Sequence, residues 1–246
     1  MRSGPGDLID VIDAFYRLRK TLADPLAFAL SRRELHALME TDELDAVVDA
    51  TEAYQGRGFY ARIHAIQHRS EILGLAERVR KLGAKRIVEI GSYKGGTLFI
   101  FCRAALGLEH AVSIDLPGGD YGGGYDARRE RLFREFLHRR PAARLTCLRA
   151  DSHAPETREA LVRALGDDPI DFLYIDGDHR LDGVRSDFEQ YSPLVRPGGL
   201  VAFHDIITRE PGHDVHRFWL EVKDRYEHEE LIADPDGNKG IGILRM

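Results

Sequence analysis

The residues of this chain best suited to chemistry are acidic groups that close short apolar runs. Glu89 lies in RIVEIG, Asp115 in VSIDL, Asp151 in LRADSH, Asp176 and Asp178 in LYIDGDH, and His204 with Asp205 in AFHDI. A single carboxylate in such a place is a common cap, but capping is a poor account of one at five successive runs. The first run opens into Gly91, Ser92, Tyr93, Lys94, Gly95 and Gly96, a G-x-x-x-G-G loop that matches the dinucleotide pattern G-x-G-x-x-G only in part. Glycine has no Cβ and tolerates positive φ, so such a loop brings backbone N–H groups and a helix N-terminus close to a ligand. Glu89, two residues before the first glycine, repels a pyrophosphate and attracts a cation. Asp115 is placed to accept hydrogen bonds from ribose hydroxyls. Together they favour a nucleoside that carries positive charge.

The elements that must position these residues follow from periodicity. Apolar residues at three- and four-residue steps predict helices over Asp7 to Lys20, Ser31 to Met39, Asp42 to Tyr54 and Ile63 to Leu82, the last ending at Gly83. From Arg86 strands and helices alternate. Strands are expected at Arg86 to Ile90, Ala111 to Ile114, Leu145 to Leu148, Ile170 to Ile175 and Leu200 to Phe203. Helices are expected at Asp126 to His138, Pro155 to Leu165, Leu181 to Tyr191 and Asp214 to Arg225. That alternation implies a parallel sheet covered on both faces, with ligands gathering beyond the C-terminal ends of its strands. The end of the chain reads as two short strands joined at Asp234 to Lys239.

Length and composition set the bounds. With 246 residues and 43% hydrophobic composition the chain holds one sizeable α/β core and a helical extension over residues 1–60, and residues 61–246 form the main domain. The extension cannot bury its own apolar faces, which predicts packing on the main domain or on a second copy in a homo-oligomer. A net charge of −6 argues against nucleic acid or an anionic membrane as partner. No apolar run has the length of a membrane span, and the first residues lack a leader's apolar core, so a cytoplasmic protein is expected. Cys102 and Cys147 lack metal-type spacing and read as core thiols. The link from Tyr54 to Tyr60 reads as a loop that packs its aromatic residues, with a substrate-lining role as the alternative.

The blocks VEIGSYKGGTL, SIDL, RADSH and above all LYIDGDHRLDGVRSDFEQYSPLVRPGGLVAFHDI resemble the class I S-adenosylmethionine-dependent methyltransferases. The resemblance runs from about Ile63 to Met246 and is to the group that includes cephalosporin hydroxylase-like, macrocin and sugar O-methyltransferases. It implies a doubly wound, Rossmann-like sheet of seven strands in the order 3-2-1-4-5-7-6, strand 7 antiparallel. It also implies that Glu89, Gly91, Ser92, Tyr93, Gly95, Gly96 and Thr97 hold the methionine and adenosyl parts of S-adenosylmethionine. Asp115 would then bind ribose, Asp151 and Ser152 would border adenine, and Asp176 would complete the cofactor site.

The acceptor implied is a hydroxyl of a small molecule, a glycoside or other secondary metabolite. A neutral hydroxyl is a poor nucleophile, so a divalent cation on its oxygen, or a nearby carboxylate or histidine, has to draw off the proton. In metal-dependent members the ligand positions map onto Asp176, His204 and Asp205, and the general base onto Asp178. His204 departs from the acidic or amide pair usual at that place. It suits Mn, Fe or Zn better than Mg, and a metal-free reaction with a histidine base stays open. His179 either lines the acceptor pocket or caps the next helix. His213 and His216 read as exposed or capping residues, with a lid over the acceptor as the alternative. The loop Pro117 to Tyr125 reads as a flexible connection or as a flap over the cofactor. Two other functions compete: an NAD-dependent dehydrogenase on the same sheet, and a binding protein that has lost its activity.

Overall fold

The computed structural model describes residues 24–118 and 124–246. The expected helix Asp7 to Lys20, and the middle of the loop Pro117 to Tyr125, lie outside the described residues. Helices α1 (residues 24–37) and α2 (Leu44–Ala53) precede α3 (Arg69–Leu82), which ends at Gly83 in the left-handed region, φ 65°. The alternating part then runs β1 (Arg86–Ile90), α4 (Gly96–Ala104), β2 (His110–Asp115), α5 (Arg129–Glu135), β3 (Arg144–Arg149), α6 (Pro155–Leu165), β4 (Ile170–Ile175), α7 (Leu181–Tyr191) and β5 (Val195–His204). Helix α8 (Val215–Val222) and the antiparallel pair β6 (Glu227–Leu231) and β7 (Ile241–Arg245) complete it.

The sheet has seven strands in the order β3-β2-β1-β4-β5-β7-β6. β1 to β5 pair in parallel, while β7 runs antiparallel to both β5 and β6. Alternate residues of each strand face opposite sides. Ile87, Ala111, Phe172, Tyr174 and Ala202 join a core with residues of α2, α3, α4 and α5. Val88, Val112, Leu173, Val201 and Leu244 join a second core with α6, α7 and α8. Burial on both faces makes the central strands read as unbroken apolar runs.

Leu35 and Met39 at and just beyond the end of α1, with Val47 and Val48 of α2, are buried in the same core as Ile72 and Phe99. Part of the apolar face of these two helices is therefore met within the chain, while Leu26 and Leu30 of α1 stay exposed. Buried Arg103 bonds the Asp42 carboxylate at 2.6 Å and the Thr41 carbonyl at 2.8 Å, which fixes the turn between them.

Several boundaries differ from expectation, and α1 already covers residues 24–30 and stops at 37, where Ser31 to Met39 was expected. α3 begins at Arg69, not Ile63, because residues 63–65 are pressed as extended backbone against Gly96; a Cβ there would stand 2.2 Å from the Ile63 carbonyl oxygen. α5 covers only Arg129–Glu135, with turns on either side. β5 begins at Val195, so the Pro197-Gly198-Gly199 segment is an irregular part of the strand and not a turn before it. The expected helix Asp214 to Arg225 tightens into a 3₁₀ turn after Val222.

Candidate functional site

β1, β2, β4 and β5 end along one edge of the sheet, and their registers bring the singled-out residues together. Glu89 pairs with Ser113 on one side and Tyr174 on the other. The Asp176 N–H donates to the Ile90 carbonyl at 2.8 Å, and the Gly91 N–H to the Ile114 carbonyl at 2.9 Å. The glycine loop and the end of β4 thus share one backbone network.

Glu89 is fully buried; no hydrogen bond of good geometry reaches its carboxylate, although the hydroxyls of Ser92 and Thr97 stand close enough to favour the anion. Burial pushes its pKa up to about 8; the hydroxyls of Ser92 and Thr97 oppose that shift, and the charges of Asp176 and Asp115 add to it. A buried acid without a well-formed hydrogen bond is costly as an anion, so the pocket fits a ligand that brings a positive group to it.

The glycines have a different physical reason from the one expected. Gly91 has φ 87°, and a Cβ on it would lie 2.0 Å from the Asp176 carbonyl oxygen; on Gly95, φ 82°, it would lie 2.3 Å from the Phe133 ring. Gly96 faces residues 63–65. All three make room for the protein's own atoms. The loop is held in shape by Asp115, whose Oδ2 accepts from the Tyr93 N–H at 2.6 Å and whose Oδ1 accepts from the Leu116 N–H at 2.7 Å. A carboxylate has about four lone-pair sites, so positions for ribose hydroxyls remain on Asp115. Burial raises its pKa, and these backbone donors oppose the rise. Ser92 spends its hydroxyl on Ser113 at 2.7 Å, and Ser113 in turn meets the Tyr125 hydroxyl at 3.0 Å.

Arg129 of α5, buried, braces this region from behind and shows no pattern in the sequence. It donates to the Phe59 carbonyl at 2.9 Å, the Ala61 carbonyl at 3.1 Å and the Lys94 carbonyl at 3.0 Å, and also to the Arg62 carbonyl. Tyr54 and Tyr60 are buried in the same link, and the Tyr54 hydroxyl donates to the Tyr60 carbonyl at 2.9 Å. Packing, rather than lining a pocket, is what those two aromatic residues do.

On the other side of β4, Asp151 is exposed and caps its own turn through the His153 N–H at 2.9 Å, while the Ser152 carbonyl accepts from the Tyr191 hydroxyl at 2.6 Å. A cavity of about 330 Å³ opens beside them, lined by His153, Asp178, Arg180, Asp182, Gly183 and Ser186. Asp187, fully buried on α7, lies 3.5 Å from His153 Nε2. Burial raises the Asp187 pKa, and Asp187 in turn raises that of His153. Neither residue was singled out in the sequence, although His153 lies in RADSH and Asp187 in the long block after β4.

The ends of β4 and β5 carry the densest cluster. Asp176, His204 and Asp205 converge, their nearest ligand atoms all within 4.8 Å of one another. His204 Nδ1 is 3.2 Å from Asp176 Oδ1 and 3.4 Å from Asp205 Oδ1. His179 Nε2 is 3.3 Å from Asp176 Oδ1, and its Nδ1 is 3.7 Å from Asp205 Oδ2. Burial acts to raise the Asp176 pKa, but the histidines outweigh it and hold the acid at about 2. For His204 and His179 burial favours the neutral ring, and the carboxylates outweigh it in both, so their pKa values rise.

Residues that no motif announced hold the cluster in place. Gln67 Nε2 donates to Asp176 Oδ2 at 2.9 Å and is 3.1 Å from the Tyr174 hydroxyl. Thr208 donates to Asp205 Oδ1 at 2.9 Å. Asp205 itself is in the left-handed region at φ 62°, a conformation that a non-glycine residue keeps only when its surroundings impose it.

Asp178, expected as the general base, is not in the cluster. Its carboxylate pairs side by side with the Arg180 guanidinium and accepts the Arg180 N–H at 3.0 Å, closing the turn before α7. Burial raises its pKa, but the Arg180 interactions outweigh it and leave Asp178 below the usual carboxylate range, a weak base turned away from Asp176. The residue that stands against both Asp176 and Asp205 is His179.

The chain is similar to known proteins in sequence and in fold. The family model described as a methyltransferase domain matches residues 88–206. An uncharacterized protein of Sinorhizobium fredii, y4gI, is 31% identical over 147 residues, 58% of this chain and 16% of that protein, so this chain spans about one sixth of that relative's length. Among solved structures, the O-methyltransferase of Bacillus cereus in complex with S-adenosylhomocysteine superposes with a TM-score of 0.55 at 18% identity, covering 89% of this chain and 97% of that one. The O-methyltransferase TomG of Streptomyces achromogenes, involved in tomaymycin synthesis and solved with S-adenosylmethionine, gives 0.51 at 18% identity over 84% and 91%. At such identities the likeness establishes the fold.

Proposed function

We propose that this chain, which resembles the class I S-adenosylmethionine-dependent methyltransferases in sequence and fold, moves a methyl group from S-adenosylmethionine to a hydroxyl of a small molecule. The observation that carries the reading is the junction of two unlike sites. A buried Glu89 without a well-formed hydrogen bond lies behind the glycine loop, and the Asp176, His204 and Asp205 cluster starts one hydrogen bond away, at Ile90 to Asp176.

Glu89 supplies negative potential beneath the methionine end of the donor, a sulfonium whose methyl is displaced in line by the acceptor oxygen. Asp115 keeps the Ser92 to Gly96 loop in place and offers its remaining lone pairs to the ribose. Asp151 and Ser152 stand at the adenine end. His179 faces the acceptor opening and takes the hydroxyl proton, the role that the pairing with Arg180 denies to Asp178.

One nitrogen and two carboxylates fit a divalent ion of the Mn, Fe or Zn kind better than Mg. Held by Asp176, His204 and Asp205, such an ion would lower the pKa of a hydroxyl bound to it. A specific observation also supports a metal-free version: His204 Nδ1 lies within 3.4 Å of both carboxylates, so a ring proton can do the work of the cation.

A small-molecule acceptor is favoured by the net charge of −6, which disfavours nucleic acid, and by the synthesis role of TomG. No helix among the described residues is long and apolar enough to cross a membrane. A homo-oligomer remains part of the proposal through the expected helix Asp7 to Lys20.

The test has two stages. Calorimetry should show one S-adenosylmethionine per chain, weakened by Asp115→Ala; no binding by the wild type sinks the reading. Incubation with a hydroxyl library, with and without Mn²⁺ and a chelator, should then release S-adenosylhomocysteine. Stoichiometric binding without turnover would identify a binding protein instead.

A further inference from the structure

We infer that the chain holds a second divalent cation, between His179, Asp205 and His213. It would lie beside the ion that Asp176, His204 and Asp205 would hold. The inference rests on the metal-assisted form of the function above.

Two donor triads are present at this end of the sheet, and they share one residue. Each has its nearest ligand atoms within 4.8 Å of one another, and Asp205 belongs to both. The two oxygens of Asp205 are divided between them: Oδ1 is 3.4 Å from His204 Nδ1, and Oδ2 is 3.7 Å from His179 Nδ1. A carboxylate that gives one oxygen to each of two donor sets is the bridging ligand of paired sites, whose ions stand about 3.5–4 Å apart. The left-handed backbone at Asp205 and the Thr208 hydrogen bond on Oδ1 hold that carboxylate in its dividing orientation.

His213 is the residue that makes the second triad. It comes from the turn after β5, where Gly212 at φ 86° reverses the chain. The neighbouring Asp214 N–H donates to the His179 carbonyl at 2.7 Å, which ties the turn to His179. The two imidazole rings are 4.8 Å apart and tilted by 42°. His213 Nδ1 is buried and has no hydrogen-bond partner, as is His204 Nε2. A buried ring nitrogen with no partner is unfavourable unless something binds it. The Pro211-Gly212 segment therefore delivers a ligand atom to the site, where a lid was the alternative read from sequence.

The chemistry of the second triad also separates it from the first. Two imidazoles and one carboxylate leave an open position, as in hydrolytic zinc centres, and select borderline ions over Mg. Two dications bring four positive charges against the two negative charges of Asp176 and Asp205. An anionic oxygen, either hydroxide or the deprotonated acceptor itself, would lower the remaining two positive charges to one. His204 is buried, whereas His179 and His213 are only partly so, so the second ion is the more exchangeable. With that ion bound His179 would be a ligand and could not also be the base, so the acceptor proton would pass to hydroxide from solvent, giving water.

Equilibrium dialysis of the full chain against Co²⁺, with the metal counted by atomic emission, tests the assignment. The wild type should hold two Co²⁺ per chain and His213→Ala one. One Co²⁺ in both overturns the second position and leaves the first standing, as does two in both, which would place the second ion elsewhere. No Co²⁺ in the wild type overturns both metal positions. Calorimetry of S-adenosylmethionine on the same samples shows whether each variant is folded, and whether the methyl-donor reading survives independently of the metal.

Discussion

The imidazole of His204 stands 3.2 Å from the carboxylate of Asp176, Nδ1 to Oδ1, at the join of β4 and β5. One residue ends β4 and the other ends β5, and the parallel register Ile175 to Phe203 delivers both to the same height. The pair is buried, so each group's charge is kept by the other: the acid stays ionised at about 2 and the ring is favoured as a cation. A metal that takes His204 as a ligand has to displace that proton.

His179 and Asp178 can be told apart by rate. His179→Ala is expected to lower turnover by about 10²- to 10⁴-fold, the usual contribution of a positioned base. Asp178→Asn should stay within about tenfold, because its carboxylate serves Arg180 and the turn before α7. Initial rates of S-adenosylhomocysteine release, with the acceptor found by screening, decide between them. The reverse order would restore Asp178 as the base.

Glu89 makes donor binding depend on pH. Its pKa of about 8 in the folded chain means that it is mostly protonated at pH 7. If a cationic ligand draws it into the ionised form, binding at pH 7 should release about one proton. Calorimetry in two buffers of different ionisation enthalpy measures that release, and Glu89→Gln should abolish it.

The same group has a stability consequence. A carboxyl whose pKa is higher folded than unfolded binds more protons in the folded state, so between about 4.5 and 8 the free protein loses stability as pH rises. Below that window the penalty is absent, and above it the penalty is complete. Urea midpoints across pH 5 to 8 should fall for the wild type more than for Glu89→Gln; parallel curves would show that Glu89 does not titrate there.

Gly91→Ala should destabilise the fold by about 3 kcal/mol, from strain at φ 87° and from contact with the Asp176 carbonyl. A chemical denaturation curve gives the figure. Because the collision is with protein, the loss should appear with no ligand present, whereas a purely ligand-facing glycine would change binding alone.

Arg129→Met should cost about 3 kcal/mol, since it leaves buried carbonyls at Phe59, Ala61 and Lys94 without their donor. It should also weaken S-adenosylmethionine binding, because Lys94 lies in the loop. Unchanged affinity in a folded variant would show that the brace matters for the fold only.

How much was legible before the fold was known can be argued from particular residues. The central strands were readable because β1, β2, β4 and the second half of β5 are covered on both faces, which writes them as apolar runs, and the acids at their ends stand out against those runs. Local signals failed where distant backbone decides. Ile63 to His68 carries a helical pattern, yet the segment is held extended against Gly96. Asp178 has the position of a base, yet a neighbour two residues along takes its carboxylate.

What the sequence determined by itself is the layered sheet, the glycine loop and the set of acids and histidines at the strand ends, since each of these is local in the chain. Only the tertiary structure decided which of those groups meet. Gln67 comes from a segment far from Asp176, Arg129 from one far from Lys94, and His213 from one well separated from His179. Contacts of that kind depend on how the strands register and where the turns point, which no spacing along the chain records.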